Sequence, residues 1–271
     1  MWWLALPGGV LLYLGGCWVM ARAYVSPVRL SPGPVPSYMR EVLFAGDGYS
    51  IPAWRGGSGQ DVYLCVHGYG GCQSSWNALS TELVPWAEVV AIATMGQTRS
   101  PAKGVGFGEG EAIEVIAVAE ALAAEGKRIH LAGVSMGGAA CWIAAGSRPD
   151  LFASVTTEAA FARLDWASEE FLSVSVPFGA TIFRPIILMA ERSKGIRGHE
   201  VRPADAAASW KGPCLILQSR DDGMFSPRHA EALSQATSQP VWWFEGLKHG
   251  EIFLERAPEV ARTMLEVGGV G

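Results

Sequence analysis

Apolar positions along this chain follow three rhythms. The first is unbroken: "MWWLALPGGVLLYLGGCWVMA", residues 1–21, contains no charged side chain. As a helix of about 1.5 Å rise per residue it would cover the roughly 30 Å of a bilayer core. The second rhythm is short and extended. Two runs flank the turn "GDG" in "REVLFAGDGYSIPAWRG" (40–56) and predict a hairpin at a sheet edge. The third begins at residue 61, where apolar runs of strand length recur: "DVYLCVH" (61–67), "EVVAIAT" (88–94), "RIHLAGV" (128–134), "LFASVTT" (151–157), "PCLILQS" (213–219) and "VWWFEG" (241–246). Amphipathic segments separate most of them. In the clearest, "EGEAIEVIAVAEALAAEGK", Val115, Val118, Ala119 and Leu122 fall at i, i+3, i+4 and i+7 before the helix stop at Gly126. Strands apolar on both faces and joined through helices predict an α/β fold, with a mostly parallel sheet covered on both sides. The alternation breaks once, over about 161–210, an irregular stretch expected to form a small cap.

Three segments follow from this pattern: an N-terminal apolar segment (1–21), a linker (22–37) and one globular domain (38–271). Residues 25–37, "VSPVRLSPGPVPS", carry four prolines and no periodicity, which predicts a stiff spacer holding the first segment away from the domain. The first segment reads as a transmembrane anchor. Trp2, Trp3 and Trp18 lie near its ends, where amphipathic rings settle at an interface, and Arg22 and Arg29 follow on one side only, which predicts a cytoplasmic domain. Two rival readings are an export signal cleaved near "ARA" (21–23) and a lipoprotein box "LGGC" (14–17) acylated at Cys17; both normally call for a basic n-region, and no basic residue precedes Arg22, while an apolar core helix is a further alternative. Pro7, Gly8 and Gly9 weaken a long straight helix.

Composition narrows the partners. A net charge of −5 without a long basic run lacks the footprint that phosphate backbones demand, so nucleic acid is not an expected partner. Five scattered cysteines (17, 65, 72, 141 and 214) show neither disulfide pairing nor metal-ligand spacing and read as small buried hydrophobes.

The chemistry centres on "GVSMG". Ser135 stands between Gly133 and Gly137 where a predicted strand gives way to a predicted helix, so a sharp turn would lift its hydroxyl above the sheet edge. The helix start would aim free N–H groups and a positive dipole end at the same point. A serine needs a base, and the base needs an acid to orient it. His130 is on the strand leading to Ser135, His67 on another strand, His199 in the irregular stretch, and His229 at a helix start. His249, in "FEGLKHGEIF", follows the last strand and sits at the right sheet edge. For the acid, Asp221 and Asp222 in "LILQSRDDGMFSP" follow the penultimate strand, and Glu158 follows another; the residues alone leave these open. Two oxyanion donors are expected from the Met136 N–H and, in the glycine-rich "HGYGG" (67–71), the Tyr69 N–H.

These motifs, "VHGYGG", "GVSMGG", "LQSRDDGMFSP" and "GLKHGEIF", resemble in order and spacing the α/β-hydrolase superfamily, in particular its bacterial serine esterase and peptidase-like branch, over about residues 38–267. The resemblance implies an α/β-hydrolase fold, a nucleophile, acid and base at Ser135, Asp222 and His249, and oxyanion donors at Tyr69 and Met136. It selects Asp222 over Asp221. One departure stands out: "ATMGQTRSP" (93–101) occupies the place of the usual Asp-x-Arg-Gly-x-Gly-x-Ser loop without its Asp and Arg, so an altered substrate pocket is expected. The implied activity is hydrolysis of a small-molecule carboxylic ester or other acyl substrate, with no cofactor and no metal. Acyl transfer, thioester cleavage and peptide hydrolysis would use the same three residues. A noncatalytic tethered binding module would be expected to lack one of them. Phe161 and Trp76 are candidates for an apolar acyl pocket.

Overall fold

The computed structural model describes residues 2–175 and 178–270, and of residues 2–7 the helical backbone alone, so the Trp2, Trp3 and Pro7 side chains lie outside the described residues. Eight strands form one sheet: β1 (Met39–Ala45), β2 (Ser50–Gly56), β3 (Asp61–Val66), β4 (Glu88–Ile92), β5 (Arg128–Val134), β6 (Phe152–Glu158), β7 (Cys214–Ser219) and β8 (Val241–Phe244). Their order is β1-β2-β4-β3-β5-β6-β7-β8. The β1–β2 hairpin is antiparallel and β2 meets β4 antiparallel; every later pair is parallel.

The helices are α1 (Trp2–Val25), α2 (Asn77–Leu83), α3 (Glu109–Ala124), α4 (Met136–Ser147), α5 (Leu164–Ser175), α6 (Gly179–Ile182), α7 (Arg184–Lys194), α8 (Pro203–Ala207), α9 (Arg228–Thr237), α10 (Ile252–Glu255) and α11 (Ala257–Gly268). Two cores form because the parallel strands are apolar on both faces. On one face Leu64 of β3 and Leu131 of β5 pack with Val115, Val118 and Leu122 of α3, with Trp142 of α4 and with Leu233 of α9. On the other, Tyr63 and Cys65 pack with Leu79 and Leu83 of α2 and with Val260 and Met264 of α11. All five cysteines are buried and unpaired.

The chain order reverses about β3, which lies between β4 and β5. Ligands of open α/β sheets gather beyond the strand ends at such a reversal. The loops after β3, β5, β7 and β8 open there, and they carry Tyr69, Ser135, Asp222 and His249.

Two features differ from the pattern reading. The described residues of the stretch over 161–210 carry four helices, α5 to α8, where an irregular course is expected: α5 buries Leu164, Ala167, Ser168 and Leu172 at helical spacing, and Pro185 in the first turn of α7 is compatible with a helix start. Serines and acids spread along α5 blur its apolar stripe. Residues 22–37 are also not a spacer. The helix runs on to Val25, whose carbonyl accepts the Val105 N–H at 2.9 Å, and Arg29 donates to the carbonyls of Ser100 and Ala102 at 2.5 and 2.8 Å. Prolines cannot pair as strand or helix, but they leave carbonyls and intervening side chains free to fasten the segment to the domain.

Helix α1 is long and apolar enough over Gly8–Val25 to cross a membrane by length and composition, and only 11% of that stretch is buried. Its buried residues, Cys17 and Ala21, meet Leu172, Ile186, Ile187 and Ala190 of α5 and α7.

Candidate active site

Ser135 is the residue between β5 and α4, and the turn there is tight. Its φ of 54° and ψ of −119° lie outside the ordinary regions of an L-residue, a strain of about 1–3 kcal/mol that surrounding structure must hold. Glycine is required on both sides. A Cβ at Gly137 would fall 2.1 Å from the Val66 carbonyl oxygen, and one at Gly133 would fall 2.7 Å from Cys141 Sγ. The Ser135 N–H donates to the Glu158 carbonyl at 2.9 Å, which ties the turn to the end of β6.

His249 arrives on the loop after β8. Its Nε2 is 2.9 Å from Ser135 Oγ, and its Nδ1 is 2.8 Å from Asp222 Oδ2. Burial opposes charge on Asp222, but the bonds from His249 and from the Phe225 and Met224 N–H groups outweigh it and hold the carboxyl below its usual range. An ionised Asp222 can only accept, so it places the imidazole proton on Nδ1 and leaves the Nε2 lone pair to the Ser135 hydroxyl. Asp222 is saturated: Oδ1 accepts the N–H groups of Met224 and Phe225 at 2.8 and 2.9 Å, and Oδ2 also accepts Gln218 Nε2 at 2.9 Å. The Phe225 ring stands edge-on to the imidazole at 4.9 Å.

The other candidate acids serve elsewhere. Asp221 accepts the Gly246 N–H at 2.6 Å, clasping the loops after β7 and β8. Glu158 accepts the N–H groups of Ile252 and Phe253 at 2.7 and 2.9 Å, just past His249. Burial pushes its carboxyl up to about 7, more than these two bonds lower it. Of the remaining histidines, His130 contacts Asp61 and Ser154 deep in the sheet, and His229 accepts the Ala162 N–H. His67 bonds the Gly68 carbonyl; burial drives its ring down to about 4, so it stays neutral.

Tyr69 and Met136 line the same cavity as Ser135 and His249. Met136 opens α4, where backbone N–H groups have no helical acceptor. No acceptor for the Tyr69 or Met136 N–H occurs among the described residues. The next N–H along, that of Gly70, is bound by Gln97 Oε1, and Gln97 Nε2 donates to Thr94 Oγ1 at 3.0 Å. The loop 93–101, which departs from the usual motif, thus supplies an amide that orients the "HGYGG" backbone.

The cavity measures about 260 Å³, and Tyr24, Phe107, Phe161, Leu164 and Phe171 furnish apolar wall. Phe161 takes the expected position. Trp76 does not: it is buried in the sheet core with its ring 5.1 Å from that of Phe253, outside the cavity lining. Its place on the short turn before α2 points it at the α2–α11 face, a direction that a loop-proximity argument does not see. Among the described residues no group of three His, Cys, Asp or Glu side chains could hold a metal ion.

Residues 63–263 match the family described as Alpha/beta hydrolase family. The chain belongs to this family. Among solved structures, an esterase of Pyrococcus furiosus superposes with a TM-score of 0.74 at 16% identity, covering 90% of this chain and 97% of the esterase. A putative lipase from Acinetobacter baumannii AYE gives 0.67 at 17% identity, covering 94% and 97%. A membrane phospholipase A described as a bacterial virulence factor gives 0.65 at 18% identity, covering 97% and 94%. No curated protein matches the sequence. For an α/β hydrolase, the features that the sequence did not point to are supporting ones: Gln218 behind Asp222, Gln97 behind the Tyr69 loop, and Tyr24 of α1 in the cavity wall; Glu158, a candidate acid by sequence, instead supports the His249 loop. The loop that holds Gln97 stood out for lacking the family's Asp and Arg, but Gln97 itself falls at a variable position of that pattern.

Proposed function

We propose that this α/β hydrolase cleaves carboxylic esters through a covalent acyl-serine at Ser135. The observation that carries the reading is the unbroken line from Ser135 Oγ through the His249 ring to Asp222, at 2.9 and 2.8 Å. Ser135 Oγ attacks the ester carbonyl carbon as its proton passes to His249 Nε2. The carbonyl oxygen becomes an oxyanion facing the N–H groups of Tyr69 and Met136, where the start of α4 adds its positive dipole end. His249 then protonates the departing alkoxide, so the alcohol leaves and the acyl group stays on Ser135. Water enters, gives a proton to His249 and attacks the acyl carbon; the acid departs and Ser135 recovers its proton. Asp222 stays ionised throughout, holding the ring in its tautomer and favouring the imidazolium.

Helix α1 serves as a membrane anchor in this reading, with Arg22 on the cytoplasmic side. The likeness in fold to a membrane phospholipase A is compatible with such a tether.

The test is turnover of p-nitrophenyl butanoate by the full chain and by Ser135→Ala, with fluorophosphonate labelling and peptide mapping. Loss of about 10³-fold or more in kcat, with the label on the peptide holding Ser135, is the expected result. Unchanged turnover in Ser135→Ala, or a label elsewhere, overturns the reading.

A further inference from the structure

The cavity at Ser135 has a neighbour. A second chamber of about 290 Å³ lies between the last turns of α1 and the cap helices, and Tyr24, Tyr69 and Phe171 border both spaces. These three rings make the partition. Their centroids are 5.8 Å apart for Tyr24 and Tyr69, 5.4 Å for Tyr24 and Phe171, and 5.7 Å for Tyr69 and Phe171. Two of them are tethered: the Tyr24 hydroxyl lies 3.2 Å from Ser168 Oγ, and the Tyr69 hydroxyl donates to the Tyr24 carbonyl at 3.0 Å. Phe171 has no polar group to fix it and is held by packing alone.

The second chamber is lined by Met20, Ala23, Leu172, Ile186 and Ile187, with Ser175 as the one polar side chain besides the two tyrosines. Such a space offers little to a polar ligand, whereas an alkyl chain gains with each methylene it buries there. Its outer wall is α1. The turns that precede Met20 expose Leu11, Leu12, Trp18 and Val19, and the adjoining α6 and α7 expose Ile182 and Leu188. The chamber's α1 side therefore continues into exposed apolar surface.

Resting on the reading of this chain as a membrane-tethered ester hydrolase, we propose that the second chamber is an acyl-chain site filled from the bilayer, with Phe171 as the movable ring between it and Ser135. The substrates are then long-chain acyl esters dissolved in a lipid surface. The carbonyl sits at Ser135, the chain runs past Phe171 into the chamber, and ester plus water still give acid plus alcohol.

The experiment compares p-nitrophenyl dodecanoate with p-nitrophenyl butanoate in detergent, using the full chain. Phe171→Ala, which opens the partition, is expected to raise the dodecanoate-to-butanoate ratio of kcat/KM about 5-fold. Ala23→Trp and Ser175→Trp, which fill the chamber, are expected to lower it about 10-fold. A ratio unmoved in all three variants overturns the proposal. Dodecanoate binding to the full-length Ser135→Ala protein, followed by calorimetry, gives a readout independent of turnover. Saturable binding weakened about 10-fold by either Trp substitution, with the thermal transition retained, supports the chamber; no binding, or binding indifferent to both, overturns it. If binding behaves as expected and neither ester is hydrolysed, the chamber stands and the hydrolase reading falls. For the bilayer route, the double variant Leu11→Asp/Leu12→Asp is expected to lose about 10-fold in turnover of dodecanoate ester dissolved in phosphatidylcholine vesicles. Turnover equal to the parent overturns entry from the membrane.

Discussion

The Tyr69 hydroxyl donates a 3.0 Å hydrogen bond to the carbonyl of Tyr24, so the loop after β3 and the last turn of the N-terminal helix are joined over the cavity. Burial pushes the Tyr69 phenol up, which keeps it a donor across the physiological range. The Tyr24 carbonyl is among the last of its helix and has no helical partner. Tyr69→Phe keeps the ring and the backbone N–H but removes this bond, and is expected to cost about 1 kcal/mol of stability with kcat for a short ester within about 3-fold of the parent. Chemical denaturation and steady-state kinetics check both. Deleting residues 1–25 removes the Tyr24 wall itself and is expected to lower the thermal midpoint by several degrees and to raise KM.

Gln97 binds the N–H of Gly70, adjacent to the proposed donor Tyr69. Without that amide the peptide of Gly70 can rotate and the Tyr69 N–H loses its aim. Gln97→Ala is expected to reduce kcat about 10-fold, equivalent to about 1.4 kcal/mol, with KM nearly constant, because the bond matters most once charge develops on the substrate oxygen. A fall shared equally by short esters of different leaving groups, with the thermal midpoint retained, identifies a positioning role. A change confined to KM or to stability contradicts it.

The strand ends were legible because parallel, doubly covered strands are largely apolar and stop at glycine, charge or, at β5, a serine: the runs ending at His67, Val134, Ser219 and Gly246 correspond to β3, β5, β7 and β8 within two residues. With those ends on one edge, the loops that carry Ser135, Asp222 and His249 can converge across it, and His249 lies within hydrogen-bond reach of both Ser135 and Asp222. What the chain did not disclose depends on contacts between distant segments. Nothing in "MARAYVSP" marks Tyr24 as cavity wall, since its partners Tyr69, Phe107 and Phe171 lie far along the chain. Gln97, Gln218 and Glu158 act through backbone or side-chain groups brought by other loops, and no periodicity encodes such pairs. Trp76 shows the reverse error: near the glycine-rich loop in sequence, it turns into the core because the α2–α11 face needs a large ring there.

Glu158 is a buried acid whose pH dependence can be worked out. Its folded pKa is raised to about 7 from an ordinary 4.5. The folded state therefore holds the proton more tightly than the unfolded one, and the stabilisation from this is complete below about pH 4.5 and lost as pH climbs through 7. The span amounts to about 3 kcal/mol. Glu158→Gln cannot titrate and keeps an oxygen for only one of the Ile252 and Phe253 N–H groups, which each bond a different carboxylate oxygen in the parent; this adds a pH-independent cost that leaves the pH trend unchanged. The parent's stability relative to this variant is expected to fall steadily between pH 5 and 8, measured by denaturant unfolding at each pH. A constant difference would show that Glu158 ionises in the folded protein as readily as in water.

Asp221 and Asp222 are adjacent carboxylates with different partners, and this separates their predicted effects. Asp222 takes the His249 Nδ1–H together with three other donors, while Asp221 takes the Gly246 N–H. In Asp222→Asn the amide can present an N–H to the ring and stabilise the wrong tautomer, with the proton on Nε2 facing the serine; kcat is expected to fall by about 10³ to 10⁴. Asp221→Asn keeps a carbonyl oxygen for Gly246 and never touches the imidazole, so a loss under about 5-fold is expected. Steady-state kinetics with a short ester at several pH values decide between them. Because a wrong-tautomer base is relieved when hydroxide can act in its place, the Asp222→Asn deficit should narrow as pH rises, whereas an equal, pH-independent loss in both variants would mean that the pair merely shapes the loop.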